Sequence, residues 1–254
     1  MIIGCSKYRI FGPALTSEAH PTRRSIGHTN TGVRYVSALP AKTTQPIPHN
    51  ACAITGKRVI DRRPVEVLPK PDHTTQRLLF RPLAPSDKAA FINALDQSRS
   101  QVRRWIPTNR EAESDNNFFD RTLKKARLQH IEGTAWRRAA FVDHGPDAGR
   151  FLGIFNLIKI QRGLEWTCEA NWWVDSRLAG NGYASEAVQG ILDFALTEHP
   201  VGLSMHRVRC YICKDNPASV RIAQKCGFTP TGNREVLEIN KALVRHDEFE
   251  CWAR

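Results

Sequence analysis

The densest run of residues that could do chemistry is Trp173-Val-Asp-Ser-Arg-Leu-Ala-Gly-Asn-Gly-Tyr-Ala-Ser-Glu-Ala187. An aromatic, apolar stretch runs into a turn with two glycines. The turn runs into a segment whose apolar residues Ala184, Ala187, Val188, Ile191, Leu192, Ala195 and Leu196 recur at helical spacing. A helix that begins there exposes unpaired backbone N–H groups and a partial positive charge. Glycines let a phosphate approach that backbone closely. The backbone of Arg177, Leu178, Ala179, Gly180, Asn181, Gly182, Tyr183 and Ala184 therefore fits a pyrophosphate cradle, with Arg177 adding a full charge beside it. An ordinary left-handed turn before a helix fits the same glycines. The spacing is not that of a dinucleotide fold, and no Gly-Lys-Ser/Thr follows as in a Walker loop.

Other elements must position that turn. Arg77–Leu83 reads as a strand closed by proline, and Ser86 as the cap of a helix that continues through Ala89–Leu95. Ser114 caps a second helix over Phe118–Gln129. Trp136–Val142, Phe151–Ile160 and Thr167–Val174 read as strands, the first two joined at His144-Gly-Pro-Asp147. After the helix at 184–196 comes a strand at 206–213. Asn216-Pro217 opens a further helix, with Asn as cap and Pro in the first position, and Cys226-Gly227 ends it. Strands near Arg234–Ile239 and Glu248–Trp252 close the chain. Strand, two helices, three strands, helix, strand, helix and two strands make a mixed α/β domain over residues 71–254.

The first quarter is different. Residues 1–70 hold 11 Lys/Arg against 3 Asp/Glu, leaving 26 against 22 for the rest of a chain whose net charge is +12. They also hold 7 of the 15 prolines and no helical or strand period. The segment reads as a basic, disordered extension. It is a tail that touches anionic partners such as RNA or the ribosome, a targeting peptide, or an over-extended start of the reading frame. The weak basicity of the remainder argues against a folded nucleic-acid reader. Seven cysteines at irregular positions make no disulfide framework and suit a reducing cytoplasm. Cys210 and Cys213 lie three apart on a strand and so face opposite ways, and no second ligand pair accompanies them. Neither a metal nor a membrane span is expected.

Two linked signatures carry a family resemblance. Arg177-x-x-Gly180-x-Gly182-Tyr183-Ala184 resembles the acetyl-CoA motif of the GNAT N-acetyltransferase superfamily, and Asn216-Pro-Ala-Ser219 through Cys226-Gly227-Phe228 is similar to its second signature. Arg77-Leu-Leu-Phe-Arg-Pro-Leu and Gly153-Ile-Phe-Asn-Leu fit at the expected positions. Within the superfamily the chain looks closest to the ribosomal-protein N-alpha-acetyltransferase (RimJ/RimL-like) branch. Glu169-Ala-Asn-Trp-Trp-Val174, Trp105 with Pro107, Glu235–Asn240 and Arg245–Phe249 carry that likeness.

The resemblance implies a mostly antiparallel sheet flanked by helices and direct transfer of acetyl from acetyl-CoA to a primary amine. The acceptor it implies is a protein N-terminus, such as that of a ribosomal protein. A polyamine or aminoglycoside acceptor is the alternative, and a non-catalytic acetyl-CoA- or RNA-binding protein the third reading. It implies that backbone amides of Trp173 and Val174 hold the pantetheine and polarise the thioester carbonyl. Asn216 contacts the pantetheine arm, or only caps its helix. Ser219 returns a proton to sulfur as general acid, or is an ordinary helix serine; the tyrosine that many members use falls here at Ala223. Glu238 is the first candidate for general base and Glu169 the second. No cysteine is needed as nucleophile.

Overall fold

Eight strands form one sheet in the computed structural model, which describes residues 68–102, 104–105 and 113–254. They are β1 (His73–Thr74), β2 (Leu78–Arg81), β3 (Ala135–Val142), β4 (Phe151–Gln161), β5 (Thr167–Val174), β6 (Arg207–Cys213), β7 (Thr229–Ile239) and β8 (Ala242–Trp252). Their order is β1-β2-β3-β4-β5-β6-β8-β7, antiparallel throughout except for the parallel pair β5–β6. The mixed, mostly antiparallel architecture is the expected one. The basic extension expected over 1–70 falls, but for its last three residues, outside the described residues.

Among the described residues four helices cover the two faces. α1 (Lys88–Val102) and α2 (Asp115–Ile131) bury Phe91, Leu95, Phe119 and Leu123 against Ala139, Phe141, Ile154 and Trp173. α3 (Tyr183–Leu196) and α4 (Pro217–Lys225) pack on the other face with Phe80, Phe155, Trp172 and Ile212. Val188, Ile191 and Leu192 of α3 are at most 3% exposed, and each contributes about 1.5–3 kcal/mol by leaving water. Trp172 and Trp173 alternate across β5, so one tryptophan enters each core.

Three details differ from expectation. Ser86 does not precede its helix; it lies inside a 3-10 turn, Pro85–Asp87, and Asp87 accepts from the Ala84 amide at 2.8 Å while holding Arg81 at 2.7 Å. β1, only two residues long, has no sequence period to reveal it. β7 and β8 are each eleven residues long and meet at Asn240-Lys241, both with positive φ (49° and 69°). Two left-handed residues in succession make the tight hairpin turn whose twist suits the strands. Without glycine it leaves little trace in the sequence.

Candidate active site

β5 and β6 pair only over Thr167–Glu169 and Arg207–Arg209. Beyond that point β5 keeps its bonds to β4, β6 keeps its bonds to β8, and the two strands part. The gap leaves the backbone of Asn171–Val174 on one side and Tyr211–Cys213 on the other without a ladder partner across it. It opens directly toward the glycine turn.

The turn has the form of a cradle. Ser176–Leu178 make one 3-10 turn, then Gly180 (φ +88°) and Gly182 (φ +79°) take the left-handed conformation that L side chains rarely adopt. Gly182 is the residue ahead of α3, and the Glu186 amide is the first of the helix to reach back, bonding the Gly182 carbonyl at 3.1 Å. The amides of the first turn therefore lack intrahelical acceptors and point out of the helix end. Arg177 stands beside this turn, but buried Asp175 takes its guanidinium at 2.6–3.1 Å and its amide at 3.0 Å. A second cation, which sequence reading did not place there, also reaches the cradle. Arg77 donates to the Asn181 carbonyl at 3.2 Å and lies 4.6 Å over the Tyr183 ring. Arg77 is more than a hundred residues distant in sequence, so only the fold brings it there.

An acetyltransferase (GNAT) domain model matches residues 77–229. The chain belongs to the GNAT acetyltransferase family. The probable N-acetyltransferase YjcK of Bacillus subtilis is 32% identical over 98 residues, 38% of this chain and 52% of that protein. This chain thus spans about half the length of that relative. Spermidine N(1)-acetyltransferase of Vibrio cholerae is 25% identical over 157 residues, 62% of this chain and 82% of that one. Among solved structures, Mycobacterium smegmatis RimJ in complex with CoA-disulfide superposes with a TM-score of 0.59 at 19% identity. The match covers 69% of this chain and 82% of RimJ. At that identity the likeness speaks for the fold. Membership gives the chain the GNAT acetyltransferase domain that its sequence motifs imply.

The other residues singled out in the sequence are spread over both faces of the sheet. Asn216 is 3% exposed and caps α4, accepting from the Ser219 amide at 3.2 Å. Ser219 is fully buried in the first turn of that helix. Glu169, Asn171 and Trp173 occupy alternate positions of β5 and so share the α1/α2 face. Glu169 is 3% exposed; Lys159 donates to its Oε1 at 2.9 Å, and its Oε2 meets no protein donor. A bulge in β4 between Ile158 and Gln161, with Lys159 at φ +49°, lets this lysine reach the face where Ile158 already points.

Glu238 is exposed, between Leu237 and Ile239, which are buried with Tyr211. Alternation sends its side chain to the face opposite Tyr211 and Glu169, near the tip of the β7–β8 hairpin. Sequence reading also missed Glu248. It lies opposite Tyr211 in the β6–β8 register, accepts from the Tyr211 hydroxyl at 2.9 Å and is 8% exposed. Burial and that hydrogen bond push the Tyr211 hydroxyl well above its ordinary range. Burial alone would raise the Glu248 carboxyl, but the bonds from Tyr211 and Asn233 outweigh it and hold it below its ordinary value. Among the described residues no group of His, Cys, Asp and Glu is placed to hold a metal ion, and no helix is long and apolar enough to cross a membrane.

Proposed function

We propose that this chain transfers the acetyl group of acetyl-CoA directly to a primary amine in a ternary complex, and that the amine is the N-terminus of a protein. The observation that carries the reading is the parting of β5 from β6 immediately ahead of the glycine cradle. A pantetheine arm laid in that gap presents its thioester to the backbone at Trp173 and Val174; the Asp175 amide bonds Leu152 of β4, so alternation turns the Val174 amide to the gap. Such donors, aimed where the oxyanion develops, are each worth about 3 kcal/mol in barrier height. RimL, a ribosomal L7/L12 alpha-N-protein acetyltransferase with the same fold, supports the protein N-terminus as acceptor.

The amine enters from the α1/α2 face. Glu169 lies two positions from Asn171 on the strand that carries the thioester donors, with one oxygen unpartnered. It takes the proton that the ammonium must lose, directly or through a water. The nitrogen lone pair then attacks the thioester carbon. The tetrahedral intermediate collapses, the C–S bond breaks and the thiolate leaves. Ser219, in the first turn of α4 beside Asn216, relays to the thiolate the second proton that the nitrogen sheds as the amide forms, and so regains its own hydroxyl. Glu238, which the family resemblance ranks first as base, belongs to the opposite face of the sheet and is the comparison in the test.

That test is free-thiol release from acetyl-CoA with N-terminal peptides of ribosomal proteins, polyamines and aminoglycosides, for the native chain and Glu169→Gln, Glu238→Gln and Ser219→Ala. Loss of kcat in Glu169→Gln and Ser219→Ala, with Glu238→Gln near native, is the expected result. The reverse order of the two glutamates overturns the assignment of the base. Coenzyme binding with no release from any amine overturns transfer itself.

A further inference from the structure

Two buried side-chain oxygens on the α1/α2 face meet no donor among the described residues. One is Glu169 Oε2 and the other is Asn156 Oδ1. Asn156 of β4 is 6% exposed and lies opposite Asn171 of β5, to whose Oδ1 its amide nitrogen donates at 2.8 Å. Glu169 is 3% exposed and precedes Asn171 by two positions, so it is the diagonal neighbour of Asn156 on that face. Among the described residues, Asn156 and Asn171 share with Phe91, Phe118 and Trp173 the wall of a cavity of about 100 Å³.

The two oxygens suit different donors. Lys159 already holds Glu169 Oε1 at 2.9 Å. The second oxygen of that carboxylate suits an ammonium, because a charged acceptor makes its stronger bond to a charged donor. Asn156 Oδ1 carries no charge and suits a neutral N–H. A buried amide oxygen left unbonded is costly, and a ligand N–H at that point removes the cost. Diagonal neighbours on a sheet stand about 7–8 Å apart. Two N–H groups about 3 Å apart, each making a hydrogen bond of about 2.9 Å, cover that distance. A peptide N-terminus has this spacing, in its α-ammonium and the amide of its second residue. A simple alkylamine has only the first of the two groups, and in a polyamine the next nitrogen is a second cation.

We propose that Asn156 is a specificity-determining residue of the acceptor site, whose Oδ1 takes the N–H of the first peptide bond while Glu169 takes the α-ammonium. The acceptor is thereby narrowed from any primary amine to an aminoacyl amide, which is the chemistry of a peptide N-terminus. This rests on the acetyltransferase reading and deepens it. Trp173 follows Asn171 by two positions on the same face, so an amine held between Glu169 and Asn156 lies beside the strand that is to carry the thioester.

The test removes that one N–H. A peptide beginning Ala-Ala is compared, on the full chain, with its ester analogue, in which lactate replaces the second alanine and an oxygen stands in place of the N–H. Spermidine and butylamine are run beside them. Free-thiol release gives kcat/KM, and titration calorimetry on the CoA-loaded protein gives binding without chemistry. The amide is expected to win over the ester by about tenfold in both, the scale of one hydrogen bond to a buried acceptor. Asn156→Leu, of like size and without the oxygen, is expected to bring that ratio to about one. Asn156→Asp, which keeps an acceptor at that point, is expected to preserve it. CoA affinity near native shows that each variant is folded. A ratio near one for the native chain overturns the proposal without recourse to any variant, and so does a ratio that survives in folded Asn156→Leu. Turnover of the peptide in either case leaves the transfer reading standing. An amide preference in binding with no turnover sustains the proposal and sinks transfer. Spermidine or butylamine matching the peptide in kcat/KM, or no binding of any acceptor, overturns the proposal.

Discussion

Glu186 of α3 is bound to Arg77 twice. Its Oε1 accepts from the Arg77 amide and its Oε2 from the Arg77 Nε, each at 2.7 Å, while Thr75 Oγ1 donates to Oε1 at the same distance. One carboxylate thus ties the start of β2 to the first turn of the helix behind the cradle. Burial raises the Glu186 pKa, but the hydrogen bonds from Thr75 and Arg77 outweigh it, so the group titrates below the ordinary 4.5 of glutamate. A carboxylate depressed in the folded state adds stability that is complete above its unfolded value and is lost as pH falls through the folded one. The Tm of the native chain is therefore expected to drop more steeply below about pH 4.5 than that of Glu186→Gln. At pH 7 the variant loses about 1–2 kcal/mol in urea unfolding. Parallel acid limbs for the two proteins would refute the assignment.

Arg77 also reaches the glycine turn at the same helix end. Its guanidinium donates to the Asn181 carbonyl and covers Tyr183, while Arg177 is taken up by Asp175. Removing the cation that faces the cradle should weaken phosphate binding more than removing the one already paired. Arg77→Gln is expected to lower CoA affinity about tenfold and Arg177→Gln by less, measured by calorimetry at two salt concentrations. A larger loss for Arg177→Gln would show that Asp175 releases its partner to the ligand.

Gly153 of β4 pairs with Val174, at the end of β5 beyond the point where it has parted from β6. A Cβ on Gly153 would stand 2.1 Å from the Trp173 carbonyl oxygen, an approach no packed side chain makes. The strand pair must shift to admit it, and the atoms that shift are the backbone proposed to polarise the thioester. Gly153→Ala is expected to cost about 1–3 kcal/mol in stability and, in protein that remains folded, to reduce kcat more than acetyl-CoA KM. Unchanged turnover would mean that the position of Trp173 is not critical.

Local chemistry made the cradle legible. Two glycines, a cap-and-proline pair at Asn216-Pro217 and the period of α3 are signals written within a few residues, and each element appears where they point. What stayed hidden depends on pairing across the chain. Arg77 meets the cradle, Glu248 meets Tyr211, and Asn156 meets both Arg137 and Asn171 only once the strands are in register. The face on which Glu238 and Glu169 fall was likewise beyond sequence, because it needs the phase of two separate strands relative to one sheet. The β7–β8 turn was missed for a different reason: Asn240-Lys241 adopts left-handed geometry without the glycine that usually announces it.

The cysteines give a negative prediction with chemical content. Burial pushes the Cys168 thiol up to about 12 and that of Cys226 up to about 11, and Cys210 is raised well above its ordinary value, again by burial. Thiolate is the reactive form, so at pH 8 these three are expected to resist iodoacetamide in the folded protein and to react once it is unfolded. Peptide mass mapping reads each site separately. Fast native labelling of Cys226 with loss of turnover would instead point to a thiol that takes part in transfer, and direct attack by the amine would have to be abandoned.

Asn216 is open to two explanations that substitution can separate. As a cap, it needs only a side-chain oxygen for the Ser219 amide, and serine caps about as well as asparagine. Asn216→Ser should then leave both Tm and the acetyl-CoA KM near native, while Asn216→Ala costs about 1 kcal/mol. As a ligand of the pantetheine arm, Asn216 must also offer its amide, which serine cannot imitate. The expected outcome is a native-like Tm for Asn216→Ser with a several-fold higher acetyl-CoA KM. An unchanged KM would reduce the residue to its cap and leave the backbone of β5 as the pantetheine's main support.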